Sequence, residues 1–254
     1  MKNIELQEIS KKYGELEVLN RISLKVEPRC CYCLLGKNGA GKSTLLNIVS
    51  DLIQPDSGAL TVFGYDYQRN STEIKRLIGV LPEHLPLVDE LTGMQYLNLV
   101  GLFYSIDSYK LNARIESLVS YFFEETTFLQ KRIESYSKGM KMKLAFCSVL
   151  LHKPQVLILD EPFNGWDPVS VNLLIEFLNS FLGEDRIILM SSHDLLYVDK
   201  VATHIGVLDK SKLIYNSSLQ DFKSGGKSKI EQSLLNILQV ESKTKSDIAW
   251  VFEK

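Results

Sequence analysis

The segment Gly36–Ser43 reads GKNGAGKS and directly follows the apolar run CCYCLL at positions 30–35. It satisfies the pattern G-x-x-x-x-G-K-[ST] at every fixed position, and the residues after it, as far as Ser50, favour a helix. An apolar strand before the loop and a helix behind it are the context in which such a loop binds phosphate. The segment therefore predicts a phosphate-binding loop in an α/β fold.

The residue types of this loop suit phosphate chemistry. Its glycines allow backbone conformations that other residues resist, so successive amide N–H groups can converge on phosphate oxygens. We expect Lys42 to place its charge at the β and γ phosphates and Ser43 to offer its hydroxyl to Mg²⁺. The residues expected to contact the nucleotide here are Gly36, Lys37, Asn38, Gly39, Ala40, Gly41, Lys42, Ser43 and Thr44.

A second motif, VLILDEP at positions 156–162, places two carboxylates after four apolar residues. The apolar run predicts a buried strand, so Asp160 and Glu161 emerge at its carboxyl end, where open α/β sheets bind ligands. Asp160 is the expected Mg²⁺ partner, and Glu161 the expected acceptor for the proton of an attacking water. Alone, two acids at a strand end can simply cap the next helix. Together with the phosphate loop they indicate nucleotide hydrolysis.

The apolar pattern around these motifs predicts strands separated by helices, hence a mostly parallel sheet covered on both faces. From about Thr92 to Leu151 the spacing is helical instead, with Met94, Leu97, Gly101 and Leu102 among the residues expected on one face. The predicted fold is therefore an α/β core split around a helical insert. Gly225 and Gly226 indicate a linker, and a short amphipathic tail is expected after it.

Composition limits the possible partners and location. The chain has 254 residues, 45% of them apolar, and a net charge of −2, so no overall basic character favours nucleic acid, although a local basic patch stays possible. No apolar run reaches the ~18 residues that span a bilayer, so we expect a cytoplasmic protein. Cys30, Cys31 and Cys33 crowd into one strand without a second ligand cluster, which favours buried structural thiols over a metal site.

The segment YSKGM at 136–140, which lies ahead of the acidic strand, completes a resemblance to the ATP-binding subunit of ABC transporters, over about Ile4 to Phe222. It resembles the family's LSGGQ signature in the YSxGM form of single-cassette exporter subunits. The resemblance implies that Ser137 and Gly139 contact the γ phosphate held by the opposite subunit. A helix start offers free N–H groups for that contact, although Ser137 could serve only as a helix cap.

Further site residues are carried over from the resemblance one at a time. Tyr13 resembles the aromatic residue that stacks on adenine, with ordinary packing as the alternative. Asp167 resembles the aspartate of the loop that crosses the dimer interface, and His193 the histidine that touches the γ phosphate and holds the attacking water. Glu83 stands where the family often has a Mg²⁺-binding glutamine, and a carboxylate can also bind this cation. Trp166 departs from the family's usual leucine, and we expect it to add apolar contact at a dimer interface.

The resemblance implies a P-loop NTPase core with a mostly parallel sheet, an N-terminal antiparallel β part and a helical subdomain. The expected division is an ABC ATPase domain at 1–225, with its core at about 1–83 and 153–225 and the helical subdomain at about 84–152, followed by a tail at 226–254. The implied function is ATP hydrolysis with Mg²⁺ in a head-to-tail homodimer or heterodimer that powers a membrane permease from its inner face, for export. The alternatives are a soluble cassette ATPase acting on ribosomes or DNA and a regulator that no longer hydrolyses ATP.

Overall fold

The computed structural model of the chain describes residues 2–224 and 229–238, so the predicted linker at Gly225 and Gly226 lies outside the described residues. The strands, in chain order, are β1 (Ile4–Tyr13), β2 (Leu16–Val26), β3 (Cys30–Leu35), β4 (Ser57–Val62), β5 (Tyr65–Asp66), β6 (Ile78–Leu81), β7 (Val156–Asp160), β8 (Ile187–Ser191), β9 (His204–Asp209) and β10 (Lys212–Ser218). The helices are α1 (Lys42–Val49), α2 (Tyr67–Leu77), α3 (Gly93–Phe103), α4 (Ser108–Phe122), α5 (Lys138–Leu150), α6 (Pro168–Phe181), α7 (Leu195–Val201), α8 (Leu219–Phe222) and α9 (Ile230–Ile237).

The strands form two sheets. The first has the order β2-β1-β4-β5 and is antiparallel throughout. The second has the order β10-β9-β3-β8-β7-β6, in which every neighbouring pair is parallel except β9 and β10. This arrangement confirms the predicted fold class, an antiparallel N-terminal part beside a mostly parallel core sheet.

The central strands of the second sheet are buried on both faces. Every residue of β3, β7 and β8 is buried, as the continuous apolar runs predict for a parallel sheet with cover on both sides. Neighbouring side chains enter different cores: Cys30 packs toward the first sheet, whereas Cys31 and Cys33 pack toward the helices. Burial raises the pKa of all three thiols above the ordinary value. Among the described residues no group of three or more His, Cys, Asp and Glu side chains could hold a metal.

Between β6 and β7 the chain forms α3, α4, α5 and two short 3-10 turns, in agreement with the predicted helical insert. The exact limits of that subdomain stay a prediction. One detail of the expected apolar face is wrong, because Leu102 is 69% exposed. The buried face of α3 instead carries Tyr96, Leu97 and Gly101, and Gly101 lies so close to Leu111 of α4 that a Cβ would meet its side chain at 2.3 Å.

The sequence pattern did not predict β5, α2, β10 or α8. The helix α2 is mostly polar: its only apolar residues are Tyr67, Ile74 and Leu77, and of these Ile74 alone is fully buried. The strand β10 is an edge strand with alternating exposed and half-buried residues, and α8 is a single turn. The predicted tail is described only through α9. Its Ile230 packs into the core on the side of the second sheet that Cys31 and Cys33 face, which we call the helix-side core. The rest of the tail, residues 239–254, lies outside the described residues.

Candidate functional site

A pocket of about 690 Å³ opens at the carboxyl end of the parallel strands. It is lined by Leu16, Val18, Asn38, Gly39, Gly41, Lys42, Ser43, Thr44, Glu83, Glu161, Asn164 and His193. The loop before α1, the acid after β7 and the histidine after β8 therefore meet in one cavity, because the carboxyl ends of parallel neighbours share an edge of the sheet.

The glycines of the loop hold it against the two sheets. Gly41 has φ of 101°, and a Cβ there would lie 2.8 Å from the carbonyl oxygen of Val18. Gly36 has φ of 149°, and a Cβ there would lie 2.3 Å from the carbonyl oxygen of Leu208. A larger residue at either position would displace the loop, so glycine is required here for close approach as well as for the backbone angle.

Lys42 is the first residue of α1 and is only 7% exposed. Its Nζ donates hydrogen bonds to the carbonyl oxygens of Gly36, at 2.9 Å, and Lys37, at 3.2 Å. In the described part of the chain no carboxylate lies within the 4.0 Å of a salt bridge to this ammonium. A buried charge without a counter-ion is costly, so the site is matched to an anion such as a phosphate.

Asp160 ends β7 and is 6% exposed beneath the pocket rather than in its lining. Its Oδ1 accepts a hydrogen bond from the hydroxyl of Ser191, which stands opposite it in β8 and is fully buried. Ser191 thus restrains the Asp160 carboxylate through one of its two oxygens. The side chains of Ser43, Glu83 and Asp160 carry only oxygen donors, which is the chemistry that Mg²⁺ prefers.

Glu161 and His193 form a pair at the wall of the pocket. Glu161 has a positive φ of 51°, and its N–H donates to the Ser191 carbonyl oxygen at 3.2 Å. Its Oε2 accepts from the His193 backbone N–H at 3.2 Å and lies 2.8 Å from Nδ1 of the same residue. Within the described residues its other oxygen, Oε1, receives no hydrogen bond. One carboxylate oxygen is therefore anchored and the other is free to bind water.

The signature-like segment lies outside this pocket. Ser137 is the exposed N-cap of α5, and its Oγ accepts from the N–H of Met140 at 3.2 Å. Gly139 approaches the loop after Glu161 so closely that a Cβ would lie 2.9 Å from the carbonyl oxygen of Gly165. Neither Ser137 nor Gly139 lines the cavity that holds Lys42 and Glu161.

Asp167 begins α6 and links it to α5. Its Oδ1 accepts from the backbone N–H groups of Val169 and Ser170, and Lys143 of α5 lies 3.5 Å from its Oδ2. The hydroxyl and N–H of Ser170, followed by the charge of Lys143, lower the pKa of the Asp167 carboxyl to about 2.

One expectation about an aromatic residue is wrong, and another stays a prediction. The placement of Trp166 at a dimer interface is wrong: its ring is 8% exposed and packs against Phe122 and Phe146 in this chain's own helix-side core. Tyr13, at the end of β1, is exposed and does not line the pocket. Leu16, across the hairpin from Tyr13, lines it instead, as does Val18.

The remaining predicted residues divide in a similar way. Gly36, Lys37 and Ala40 belong to the loop but do not line the cavity, whereas Glu83 does.

Sequence reasoning missed Asn164 and Ser191. Asn164 follows Glu161 by three residues, and its N–H donates to the Glu161 carbonyl oxygen at 3.1 Å. Ser191 stands at the end of an apolar strand beside β7, which is the only sequence signal that could have indicated it.

A phosphate-binding loop, a strand-end carboxylate pair and a strand-end histidine around one cavity define a P-loop nucleotide-binding ATPase. Residues 19–164 match the protein family described as ABC transporter. The chain belongs to this family, and it is of the ATP-binding, ATP-hydrolysing type. Within residues 2–224 and 229–238, no helix has the length and apolar character that crossing a membrane requires.

Curated relatives cover most of the chain. The ABC transporter ATP-binding protein NatA of Bacillus subtilis is 32% identical over 222 residues, which are 85% of this chain and 90% of the relative. The bacitracin transport ATP-binding protein BcrA of Bacillus licheniformis is 32% identical over 91% of this chain and 74% of its own length. The linearmycin resistance ATP-binding protein LnrL of Bacillus subtilis is 30% identical over 92% of this chain and 76% of its own length.

Solved structures share the fold. One is described as the ATP binding subunit of an ABC transporter; it has a TM-score of 0.83 and 26% identity, with 92% of this chain and 99% of that chain covered. Another is described as a dimeric post-hydrolysis state of an ATP-binding cassette bound to ADP and Pi. It has a TM-score of 0.78 and 21% identity, with 85% of this chain and 98% of that chain covered. At 21% identity, the second resemblance shows the fold alone.

Proposed function

We propose that this chain pairs head to tail with a second ABC subunit around two ATP molecules and powers a separate membrane permease for export. It would lie in the cytoplasm, at the inner face of the membrane. Export is supported by relatives whose names refer to bacitracin transport and linearmycin resistance. In the pair, each nucleotide is bound by the loop of one subunit and covered by the signature segment of the other.

On the subunit's own side, the backbone N–H groups of the loop and the Lys42 ammonium bind the phosphates. Helix α1 adds the positive end of its dipole, which favours anions at this position. We place Ser43, Asp160 and Glu83 around Mg²⁺, directly or through water. When bound, this ion neutralises charge on the β and γ phosphates. Tyr13 is proposed at the adenine end, with Leu16 and Val18 beside it.

The proposed hydrolysis uses the free oxygen of Glu161. A water hydrogen-bonded to Oε1 gives its proton to the carboxylate while its oxygen attacks the γ phosphorus. The bond from that phosphorus to the bridging oxygen breaks, and ADP leaves with the electron pair. His193 holds the other carboxylate oxygen, so Glu161 cannot turn away from the water.

The opposite nucleotide is assigned to Ser137 and Gly139. At the start of α5 the helix leaves N–H groups without internal partners and presents its positive dipole end. Asp167 connects this helix start to the segment that carries Glu161, through Lys143. The surface near Glu83 and the helical subdomain is proposed to contact the permease.

One observation carries the hydrolytic role: Glu161 and the uncompensated Lys42 ammonium line the same pocket, and His193 orients the Glu161 carboxylate. The test is steady-state ATP hydrolysis by Glu161→Gln, beside a control, Glu73→Gln, which makes the same chemical change on an exposed face of α2. We expect Glu161→Gln to lose about 100-fold or more in rate while it still binds ATP, because the amide cannot accept the proton. The control should keep the parental rate.

If Glu161→Gln hydrolysed ATP at the parental rate, Glu161 would not be the general base. The transport role has a separate test, co-purification of the intact chain from detergent extracts with a membrane protein of several transmembrane helices. Co-purification with ribosomes instead would favour the soluble cassette ATPase.

A further inference from the structure

Three cations lie at the edge of the parallel sheet opposite the ATP pocket. Arg76 precedes β6 by two residues, Lys153 precedes β7 by three, and Arg186 directly precedes β8. These strands are parallel and start level with one another, since Gln155 N donates to Leu77 O at 2.8 Å. The amino-terminal ends of the three strands therefore share one edge, and the cations gather there.

Lys110 and Arg114 of α4 extend this group, and we call the set of five cations the basic edge. In the described part of the chain none of the five lies within 4.0 Å of a carboxylate. Two pockets adjoin these cations, and among the described residues that line them Asp107, in one of the two, is the single acid. Its Oδ1 accepts from the backbone N–H groups of Tyr109 and Lys110. The charge is thus strongly local, since the whole chain has a net charge of −2.

Nearby acids do not neutralise the basic edge. Glu184 and Asp185 precede Arg186 directly, but they pair with Arg29, at 2.6 Å, and Lys2, at 2.6 Å. A ligand with negative charge would therefore find cations without competing carboxylates.

Two adjoining pockets of different chemistry share Arg114. One, of about 370 Å³, is polar and contains Arg76, Lys110 and Arg114. The other, of about 460 Å³, has an apolar floor with Arg114, Lys153 and Arg186 around it. The floor consists of Leu118, Leu150, Pro154, Phe177 and Phe181.

Arg114 is held in place between the pockets, because its Nη1 donates to the carbonyl oxygen of Leu151 at 2.5 Å. The wall of the polar pocket is also ordered: Tyr104 stacks on His152 with ring centroids 3.9 Å apart. Phe103 and Tyr109, the sequence neighbours of the pocket residues Tyr104 and Lys110, are 77% and 83% exposed, so two aromatic side chains lie on the open surface beside this part of the basic edge.

We propose that the basic edge binds an anionic phospholipid, with its phosphate in the polar pocket and its acyl chain over the apolar floor. Cations beside an apolar surface and exposed aromatic side chains are the combination that binds anionic membrane surfaces. A nucleic acid would engage the cations but leave the apolar floor without a partner. This proposal concerns a surface away from the ATP pocket, so it can fail while the proposed function holds.

The experiment is sedimentation of the intact chain with vesicles of phosphatidylcholine that contain either phosphatidylglycerol or no anionic lipid. We expect binding to the anionic vesicles only, weakened by salt. The variant Arg76→Gln/Lys110→Gln removes two cations with no hydrogen bond from their side chains in the described structure, and should bind on the order of tenfold more weakly. The control, Lys131→Gln/Lys212→Gln, removes two exposed lysines elsewhere and should bind as the parent does. ATP hydrolysis should be unchanged in both variants.

Competition with soluble compounds shows whether the basic edge recognises a phospholipid or any phosphate group. Short-chain phosphatidylglycerol should displace the chain from vesicles, whereas glycerol phosphate and a single-stranded RNA at the same phosphate concentration should not. Equal binding to vesicles without anionic lipid would contradict the proposal. So would an equal loss in the control variant, or displacement by glycerol phosphate or RNA as effective as that by the lipid.

Discussion

The loop at 36–43 and the start of α5 at 137–140 use the same chemistry, yet only the loop lies in a site within its own subunit. Both place free backbone N–H groups at a helix start, with glycine where another backbone comes close. The loop is enclosed with Lys42 and Glu161 in one pocket, whereas Ser137 is exposed and lines no part of it. The difference indicates that a helix start becomes a nucleotide site only when other elements supply the remaining ligands.

The largest effect should come from removal of the Lys42 charge. In Lys42→Met the loop N–H groups stay, but the ammonium that we propose to face the phosphates is lost. We expect ATP hydrolysis to fall by about 100-fold or more, together with ATP affinity. Binding of a fluorescent ATP analogue and phosphate release would measure both. The control is Lys212→Met, the loss of an exposed lysine on β10. Normal ATP binding by Lys42→Met would show that the loop N–H groups suffice, and the two helix starts would then differ less than proposed.

A smaller effect is expected at the connection between the two regions. In Asp167→Ala, α6 loses its cap and α5 loses the ion pair through Lys143, so the free energy of unfolding should fall by about 1 kcal/mol at neutral pH. The Asp167 pKa is about 2 in the fold against an ordinary value of 3.8. Its ionised form therefore stabilises the fold above pH 4, and this contribution is lost as the pH falls toward 2. Urea unfolding of parent and variant should thus converge at low pH. A difference that persists undiminished at pH 2 would contradict the ionic origin.

The smallest effect is expected at Glu83, where the carboxylate should increase the dependence on Mg²⁺. Glu83→Gln should keep its maximal rate. The Mg²⁺ concentration for half-maximal hydrolysis should rise by a few-fold, because one anionic donor to the cation is lost. The control is Glu90→Gln on the exposed turn before α3. Superimposable Mg²⁺ titrations for Glu83→Gln and the parent would exclude a metal contact by this side chain.

The fold could be predicted where apolar runs were long and continuous. Such runs predict β3 and β7 because burial on both faces requires an unbroken apolar strand. The helix α2 could not be predicted, because it buries a single isoleucine and has a kink at Asn70. Its start depends on the Asp66 cap, whose side chain accepts from the N–H of Arg69. A mostly polar surface helix of 11 residues carries too few apolar residues to be recognised from its apolar pattern.

The site was predictable where chemistry has a fixed spacing along the chain, and not where it depends on neighbours in space. Lys42 and Glu161 each belong to a local motif, and the structure brings them into one pocket. Ser191 fixes Asp160 only because β7 and β8 align in register, which no local motif records. Trp166 was misplaced for the same reason, since the rings that bury it come from α4 and α5.

The most direct test of the head-to-tail claim is a mixing experiment with two variants that are inactive alone. Lys42→Met damages the loop, and Ser137→Glu places a negative charge where the partner's γ phosphate should lie, without touching its own pocket. If sites form between subunits, half of the random pairs contain one intact site, so an equal mixture should recover about a quarter of the parental ATPase rate. A mixture that stays as inactive as the separate variants would contradict the account.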